Sequence, residues 1–550
     1  MQYTMILNDD IISPVLAQYI KEKTEDAKLI EALKNEKAAL ANELNRLKAD
    51  FARAKAMNDW FTEQLRLSKV RAFGTSSEVS ENLAFTFNEA EVSQDPSLPE
   101  PTVEEVVDEK KKKHHPKKKG HREAQLKNLE VKETLHDIPE SERICPCCSK
   151  PMHSIGTEKR RTIEYVPAQF ILHIDLQEKY ACKNCQDNDV KTPIISAGMP
   201  AIPIKKSLAS ASLLAFIIYR KYVEAMPLYR QEVSLERDDL NISRQTMSNW
   251  MIKSAEILTP VYERLHDFLI AGDIVRADET VMQVLNEEGR KAQSQSYMWH
   301  YGRHLDGISI SMFEYQQSRA GENPKNFLKD FTGFLQVDGY GAYNCVPNAI
   351  ISGCWAHARR KYHEAIFALP DAARKLGKSN AHVGFDFCNQ LYAIEHEAKG
   401  KSDIEILNLR QTKSAAILAK FKTWLDERHS ETAPKSQFGM AVTYCINQWE
   451  KLMQYINDPR LEIDNNRAER SIKPFVIGRK NWIFANTPSG AKASAILYSI
   501  AETAKENGLH PRKYLEHLLN ELPKRANADP IDDLLPWLPE VRHRLLDISS

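Results

Sequence analysis

The stretch Ile274-Val-Arg-Ala-Asp278 decides the fold of the central part of the chain, because it is a short apolar strand that ends in a carboxylate. Helical patterns precede it from Leu208, with Ser207 as the expected cap, to Leu269. Three further strands are expected at 297–301, 308–315 and 334–338, with a helix at 326–330 between the last two. The spacing of apolar residues thus changes from a helical to a strand pattern, which predicts a mixed α/β core in which a sheet lies among helices.

Two more carboxylates stand in contexts that suggest metal ligands. Asp338 closes a strand in Gln336-Val-Asp-Gly-Tyr-Gly-Ala-Tyr343, and Glu469 lies in Asp464-Asn-Asn-Arg-Ala-Glu-Arg470, where Asp464 or Asn465 can cap a helix. A carboxylate at the rim of a sheet costs energy unless a cation or a hydrogen bond compensates it. Two carboxylates from strands and one from a helix can hold a pair of Mg²⁺ (or Mn²⁺) ions.

Asp278, Asp338 and Glu469 are therefore the predicted catalytic metal ligands. Scattered surface carboxylates remain the alternative interpretation of the same three residues. The neighbouring Glu279 is a minor alternative ligand, since on an extended strand it points to the face opposite Asp278. Gly339 and Gly341 allow the backbone after Asp338 to turn sharply.

Two Cys-x-x-Cys pairs predict a zinc site. Each pair can aim two thiolates at one tetrahedral Zn²⁺, and four protein ligands leave no open position, so the site is expected to be structural. Alternation of apolar and polar residues predicts a half-buried strand over 170–177, between the pairs. Cys147 and His153 are possible substitute ligands, and buried thiols are the alternative. The expected ligands are Cys145, Cys148, Cys182 and Cys185.

A second cysteine motif, Cys354-Trp-Ala-His357, has Cys-x-x-His spacing but no visible partner pair. Two interpretations stay open. In one, Cys354 packs in a core and His357 makes an ordinary hydrogen bond. In the other, the motif has a role beside the active site.

The N-terminal part of the chain predicts self-association and phosphate contacts. A heptad pattern over 30–65, with Leu33, Leu40 and Leu47 in one seam, favours a coiled coil over a helix packed on its own chain. A Ser-, Pro- and acid-rich linker follows, and then the basic runs Lys110–Lys113 and Lys117–Lys119, which either attract DNA phosphates or form a solvated tail.

Two further segments are candidate DNA contacts. The helices at 228–236 and from 244, separated by a polar turn, are typical of a helix-turn-helix, with Arg244 and Gln245 at the end of the second helix that reads bases. Ordinary helical packing is the alternative. Basic residues also alternate with Phe475, Trp482 and Phe484 downstream of Glu469, which suits either a DNA backbone track or helix packing. These basic residues are Arg470, Lys473, Arg479 and Lys480.

Composition limits the class of protein. With 75 basic and 75 acidic residues among 550, the chain is not a uniformly basic nucleic-acid coat, so local clusters must carry any electrostatic attraction. No secretory signal or membrane-spanning segment is visible, and cysteine usage fits metal ligation in a reducing compartment. A cytosolic location is expected, and the family resemblance described below implies a bacterial cytoplasm with association to the nucleoid.

Taken in order, the motifs resemble those of bacterial DDE transposases of the insertion-sequence sixty-six family. The matching blocks span nearly the whole chain, and their ordered combination carries the resemblance. They are Arg71-Ala-Phe-Gly-Thr-Ser-Ser-Glu78, the 145–185 cysteine cluster, Pro227-Leu-Tyr-Arg-Gln231, Ala277-Asp-Glu-Thr280, Val337-Asp-Gly-Tyr340, Cys354-Trp-Ala-His-Ala-Arg-Arg-Lys361, Asp464-Asn-Asn-Arg-Ala-Glu-Arg470 and Gly478-Arg-Lys480. The basic block at 110–119 and the extra Cys147 depart from the family pattern.

The resemblance implies a ribonuclease-H-like core, with Asp278, Asp338 and Glu469 as its acidic triad and Mg²⁺ as cofactor. It also implies a helical insertion between Asp338 and Glu469, terminal inverted repeats as the DNA substrate, and accessory proteins of the same element. Because synapsis joins two DNA ends, a homodimer or higher oligomer is expected. A DNA-binding regulator without catalysis, and a nuclease that cuts without joining, are the rival functions.

These inferences predict a multidomain α+β chain, whose mixed α/β catalytic core carries a helical insertion and follows a coiled coil, a zinc-binding β domain and a helical domain. The expected divisions are a coiled coil (17–70), a linker with the basic run (71–125), a zinc-binding domain (126–195), a helical DNA-binding domain (200–268), a catalytic core (269–360 and 457–503), a helical insertion (361–456) and a C-terminal helical tail (504–550).

Overall fold

The computed structural model describes residues 194–305, 307–526 and 529–546, with 169–177, 179–181 and a set of positions between 18 and 57. In that last set every described residue is helical, without interruption from 30 to 48, and every described side chain is exposed. The zinc cysteines and the basic runs lie outside the described residues. No helix in the described ranges is long and apolar enough to cross a membrane.

The strand predicted over 170–177 is wrong. Residues 169–177 have no regular secondary structure, and Leu172 and Leu176 are exposed. The observed hairpin pairs β1 (Lys179–Ala181) with β2 (Ile194–Ser196) in antiparallel register. An alternating pattern makes a strand only where a neighbour pairs with it and one face is buried. Within the described residues, 169–177 has neither.

Three helices precede the main sheet. They are α1 (Ala211–Tyr222), α2 (Leu228–Arg237) and α3 (Arg244–Ile270). Helix α1 begins at Ala211, later than predicted, because the side chain of Ser210 accepts a hydrogen bond from Leu213 N and caps it. One face of α3 is buried in the same hydrophobic cluster as the sheet. The expected boundary between the helical domain and the catalytic core, after residue 268, therefore divides a single hydrophobic core.

The main sheet has five strands in the order β5-β4-β3-β6-β7. Strands β3, β4 and β5 pair antiparallel, whereas β6 and β7 run parallel to β3. Their bounds are β3 (Ile274–Gln283), β4 (Gln295–Leu305), β5 (Ile308–Gln316), β6 (Gly333–Gln336) and β7 (Ala349–Ser352), and the short helix α4 (Glu322–Phe327) precedes β6. Strand β7 was not predicted from the sequence, and α4 lies a few residues before its expected place.

A set of helices separates β7 from the segment that carries Glu469. They are α5 (Trp355–Phe367), α6 (Asp371–Leu376), α7 (Asn380–Ala398), α8 (Asp403–Leu409), α9 (Ala415–Glu431), α10 (Gln437–Asn447) and α11 (Trp449–Leu452). They enclose a second hydrophobic cluster, which includes Trp355, Tyr362 and Phe421. This agrees with the predicted helical insertion, although α5 already begins at Trp355.

The chain then returns to the sheet through α12 (Asn466–Trp482) and α13 (Pro488–Glu506), and ends in α14 (Pro511–Glu521) and α15 (Pro539–Leu546). Helix α13 covers the edge strand β5. Ser499 Oγ accepts a hydrogen bond from Phe313 N at 2.8 Å, and Thr503 Oγ1 accepts one from Ser311 N at 3.0 Å. These contacts satisfy backbone donors that an open edge would leave exposed.

Candidate metal and DNA site

Asp278 and Asp338 extend from neighbouring parallel strands. The pairing of β3 with β6 ends at Arg276 and Gln336, and each aspartate lies two residues further along its chain. Arg276 Nε donates to Gln336 Oε1 at 3.1 Å, so these two side chains share a face. Because side chains alternate along a strand, residues two places further face the same side. The two aspartates therefore leave the sheet at the same level.

Backbone donors fix both aspartates. Asp278 Oδ1 accepts a hydrogen bond from Glu279 N at 2.9 Å, and Asp338 Oδ1 accepts one from Tyr340 N at 2.8 Å. The second contact closes the turn that follows β6 and is of the kind that Asp favours in turns. Each carboxylate thus has a defined position before any ligand binds.

Helix α12 carries Glu469 in its first turn, where the side chain is only 4% exposed. Asn465 precedes the helix and ties it to two other elements. Its Nδ2 donates to the carbonyl oxygen of Ala277 at 2.9 Å, and its backbone N donates to Cys354 Sγ at 3.2 Å. Asp464 adds a cap, because its Oδ1 accepts from Asn466 N at 3.2 Å. The start of α12 is thereby attached to the strand that carries Asp278.

The charges of the three carboxylates interact. Burial raises the pKa of Asp278 well above its usual value, and the charges of Glu279, Glu469 and Asp338 raise it further. Burial also raises the pKa of Asp338, although the backbone N–H of Tyr340 and the charges of Arg319 and Arg360 oppose that shift. Carboxylates that repel one another in a buried place are stabilised by a cation. The donor set therefore fits a hard divalent ion.

The Cys-x-x-His motif lies beside Glu469. His357 Nδ1 is 3.8 Å from Glu469 Oε1, and a guanidinium nitrogen of Arg360 is 4.0 Å from Glu469 Oε2. Burial and the charges of Arg360 and Lys361 lower the pKa of His357 to about 3, so at neutral pH this histidine is uncharged and its contact with Glu469 is not an ion pair. The location favours the interpretation that the motif belongs to the site.

Glu279 has partners of its own. It accepts hydrogen bonds from Arg319 and from the hydroxyl of Tyr343, and it is buried. Its charge nevertheless raises the pKa of Asp278, and the charge of Asp338 raises the pKa of Glu279, so Glu279 lies close to both aspartates. A role in fixing the loop before β6 and the turn after it accounts for these contacts.

The predicted basic track divides into two groups. Arg470, Lys473 and Lys480 are exposed on α12. Arg479 instead donates to Thr280 Oγ1 at 3.0 Å and to the carbonyl oxygen of Val281, so it binds α12 to β3. Phe475 is fully buried and packs against the ring of Trp482. Helix packing, the alternative interpretation, accounts for Phe475.

Arg244 and Gln245 are exposed at the start of α3. Ser243 caps this helix, since its side chain accepts a hydrogen bond from Thr246 N. The turn between α2 and α3 includes Asp239 with φ 58°, a left-handed conformation that Asp tolerates better than most residues. The N-terminal end of α3 is thus presented to solvent while its remainder packs in the core.

Three residues near the site were not among the predicted site residues. Arg360 and Lys451 are close enough for their positive charges to lower the pKa of Asp338. Tyr444, on α10, packs where a Cβ on Gly339 would lie, 2.6 Å from its ring. Arg360 lies in the Cys354–Lys361 motif, so the sequence could have marked it as a candidate site residue. Lys451 and Tyr444 come from the insertion, where periodicity reveals only helices.

An acidic cluster with basic neighbours suits divalent cations and phosphate-bearing ligands. Comparison with known proteins identifies the family. The Transposase IS66 family profile matches residues 206–493, and the IS66 C-terminal element matches 499–537. A zinc-finger binding domain of transposase IS66 matches 142–186, and the Transposase C of IS166 homeodomain matches 60–134. The chain belongs to the IS66 transposase family.

Similar proteins occur in Sinorhizobium fredii (strain NBRC 101917 / NGR234). The uncharacterized protein y4qI is 29% identical over 530 residues, which cover 92% of this chain and 95% of that protein. The uncharacterized protein y4jD is 29% identical over 414 residues, or 72% of this chain and 78% of that protein. The similarity therefore extends across the described elements and beyond them.

Proposed function

We propose that this protein is a DNA transposase that binds the terminal inverted repeats of an insertion sequence and catalyses metal-dependent strand cleavage and strand transfer. The observation that supports the proposal is electrostatic: the charges of Glu469 and Asp338 both raise the pKa of Asp278, and all three carboxylates are buried or half-buried. Membership of a transposase family supports the same activity.

The catalytic core is proposed to be ribonuclease-H-like. Three antiparallel strands followed by two parallel ones, in the order β5-β4-β3-β6-β7, support this assignment. The first acidic residue then lies on the central strand and the second follows the neighbouring parallel strand, while the third comes from a helix after the insertion. In the proposed core, separate elements would therefore bring together three carboxylates that lie far apart in the sequence.

Asp278, Asp338 and Glu469 would hold Mg²⁺ (or Mn²⁺), which when bound activates the attacking oxygen and stabilises the leaving oxygen in a phosphodiester exchange. The chain itself contributes positioning and charge. Asn465 keeps Glu469 in register with the strand of Asp278. Arg360 and Lys451 provide positive charge beside Asp338 that attracts the DNA phosphate.

Other parts of the chain are proposed to bind DNA and to assemble the complex. Cys145, Cys148, Cys182 and Cys185 would form a closed structural Zn²⁺ site in the segment that matches the zinc-finger profile. Arg244, Gln245 and the exposed residues Arg470, Lys473 and Lys480 would contact double-stranded DNA. A homodimer through the heptad helix would hold two element ends, with accessory proteins of the element assisting, in the bacterial nucleoid.

The test uses the purified full chain, labelled oligonucleotides that carry the element ends, target plasmid, Mg²⁺ and any accessory proteins of the element. Asp278→Asn, Asp338→Asn and Glu469→Gln are each expected to lose cleavage and strand transfer while retaining end binding in a gel shift. Glu288→Gln, at an exposed acidic residue near β3, is the matched control and should remain active. Full activity of Asp338→Asn would overturn the assignment of the triad.

The same reactions separate the rival functions. A nuclease that cuts without joining yields free ends and no joined product in the wild-type reaction. A regulator without catalysis yields no cut ends in any variant and binds DNA equally in all of them. Joined products that require all three carboxylates agree only with a transposase.

A further inference from the structure

A thiol, an imidazole and a carboxylate come together where the insertion begins. The ligand atoms of Cys354, His357 and Glu469 all lie within 4.8 Å of one another. Among the described residues this is the one group of three or more His, Cys, Asp or Glu side chains gathered so closely. It differs chemically from the carboxylate triad, with which it shares Glu469.

The surroundings of these side chains favour a bound cation. Cys354 is fully buried, and its sulfur accepts hydrogen bonds from the backbone N–H groups of Asn465 and His357, which hold the sulfur in place beside the imidazole and the carboxylate. His357 Nδ1 is buried and has no hydrogen-bond partner within the described ranges. A buried imidazole nitrogen without a hydrogen-bond partner, next to a thiol and a carboxylate, is placed to serve as a metal ligand.

We propose that Cys354, His357 and Glu469 bind one zinc-class ion, in addition to the four-cysteine zinc site and the magnesium site. Sulfur and nitrogen ligands select Zn²⁺ over Mg²⁺, which prefers oxygen alone. Zinc ligands at bond lengths of about 2.0–2.3 Å stand roughly 3.3–3.8 Å apart in a tetrahedron, so a modest rotation of the three side chains completes the geometry. Solvent supplies the fourth ligand.

Binding leaves the charges balanced. The Cys354 thiol releases its proton to solvent as the sulfur–metal bond forms, and the thiolate and the Glu469 carboxylate then neutralise the two positive charges of the ion. His357 faces Oε1 of Glu469, whereas Arg360 faces Oε2. The ion would therefore bind Oε1, the oxygen nearer His357. Its effect is to fix the orientation of Glu469.

The proposal is tested by metal content, which does not depend on transposition activity. The full chain and its variants are purified from zinc-supplemented cells and dialysed against a weak chelator, and zinc per chain is measured by mass spectrometry. Cys354→Ser keeps an oxygen acceptor at the start of α5, where Ser is a favoured cap, so folding is preserved. Cys388→Ser, at another buried thiol, is the matched control.

Cys354→Ser and His357→Ala are each expected to hold about one zinc fewer per chain than the wild type, because three protein ligands are needed to retain the ion. Cys388→Ser is expected to keep the wild-type content. After cobalt substitution, Cys354→Ser should lose part of the sulfur-to-cobalt absorption that Cys388→Ser retains. Equal zinc and equal absorption in all folded variants would overturn the proposal and leave Cys354 as a helix cap only.

Discussion

Asn465 connects the helix of Glu469 to the strand of Asp278, because its Nδ2 donates a 2.9 Å hydrogen bond to the carbonyl oxygen of Ala277. The side chain is 1% exposed, so water does not replace this bond when it is lost. Its backbone N also donates to Cys354 Sγ. A single residue thus sets the relation among a strand, the insertion and the helix that carries the third carboxylate.

Asn465→Ala should therefore reduce strand transfer more than its effect on stability explains. Loss of the buried hydrogen bond is expected to lower the free energy of unfolding by about 1–3 kcal/mol. Strand transfer, measured below the unfolding transition, should fall by at least about tenfold, since small displacements of catalytic groups have large effects on rate.

Tyr514→Phe is the matched control for this prediction. It removes the buried hydrogen bond from Tyr514 Oη to the carbonyl oxygen of Leu534, far along the chain from the carboxylates. A comparable loss of stability with unchanged strand transfer is expected. Equal loss of transfer in both variants would mean that Asn465 acts only through stability.

The sequence predicted the individual helices and strands around the site better than it predicted how they pack together. The apolar runs before Asp278 and Asp338 and the Asp464–Asn465 cap before Glu469 are visible in the sequence. The expectation that the first strand ends at Asp278 is wrong, because β3 continues to Gln283 while paired with β4. The parallel pairing of β3 with β6 depends on contacts between distant segments, which periodicity does not contain. The positions of Lys451 and Tyr444 depend on how the insertion folds over the sheet, and a helical pattern cannot reveal that.

Some errors have equally local causes. The expected strand over 170–177 has the right alternation but no paired neighbour in the described parts of the chain. Arg479 has the composition of a DNA contact, yet it lies where the carbonyl oxygen of Val281 accepts its guanidinium. Residue type alone cannot distinguish a basic side chain that binds the backbone from one that faces solvent.

Glu314 should make the free energy of unfolding depend on pH. Burial raises the pKa of this carboxyl to about 7. A raised folded-state pKa means that the folded state holds the proton more tightly, so the stabilisation is complete below the unfolded pKa and is lost as pH rises through about 7. Between pH ~4 and ~8 the loss should be on the order of 3 kcal/mol.

Glu314→Gln removes this titration and should flatten the curve of stability against pH measured by chemical denaturation. The slope is not expected to vanish, because burial also raises the pKa of Asp464 to about 7. Glu288→Gln, at an exposed site, should leave the curve unchanged. An unaltered slope in Glu314→Gln would contradict the prediction.

Basic residues of α12 should separate into two experimental classes. Arg479→Ala is expected to lower the free energy of unfolding by about 1 kcal/mol, because it removes partly buried and exposed hydrogen bonds to β3. Arg470→Ala and Lys473→Ala should preserve stability and weaken DNA binding at every sequence. Each should also reduce the slope of log affinity against log salt by about 1. Titrations at several salt concentrations give both quantities, and unchanged slopes would exclude phosphate contacts by these residues.

The N-terminal helix should associate through its apolar seam. Leu33, Leu40 and Leu47 are each more than half exposed on the single chain, an arrangement that a second helix would cover. Leu40→Asp should therefore lower the mass measured by light scattering towards that of a single chain. Asn42→Asp, which adds the same charge on another face, should keep the wild-type mass. An unchanged mass for Leu40→Asp would place the oligomer interface elsewhere.

Gly339 and Gly341 form a matched pair in the turn after Asp338. A Cβ on Gly339 would lie 2.6 Å from a ring atom of Tyr444, whereas one on Gly341 would meet no atom within 4 Å. Gly339→Ala should push Tyr444 and α10 away from the turn and so displace Asp338, which reduces strand transfer. Gly341→Ala should retain near wild-type activity.

Relief of the contact distinguishes this explanation from a general loss of flexibility. If the clash with the ring is the cause, Tyr444→Ala should restore much of the strand transfer lost in Gly339→Ala, because the space that the Cβ needs is then vacant. If the turn instead needs the conformational freedom of glycine, the double variant stays as inactive as Gly339→Ala. Gly341→Ala, which adds the same methyl group two residues later without a contact, reports what reduced backbone freedom alone does to this turn.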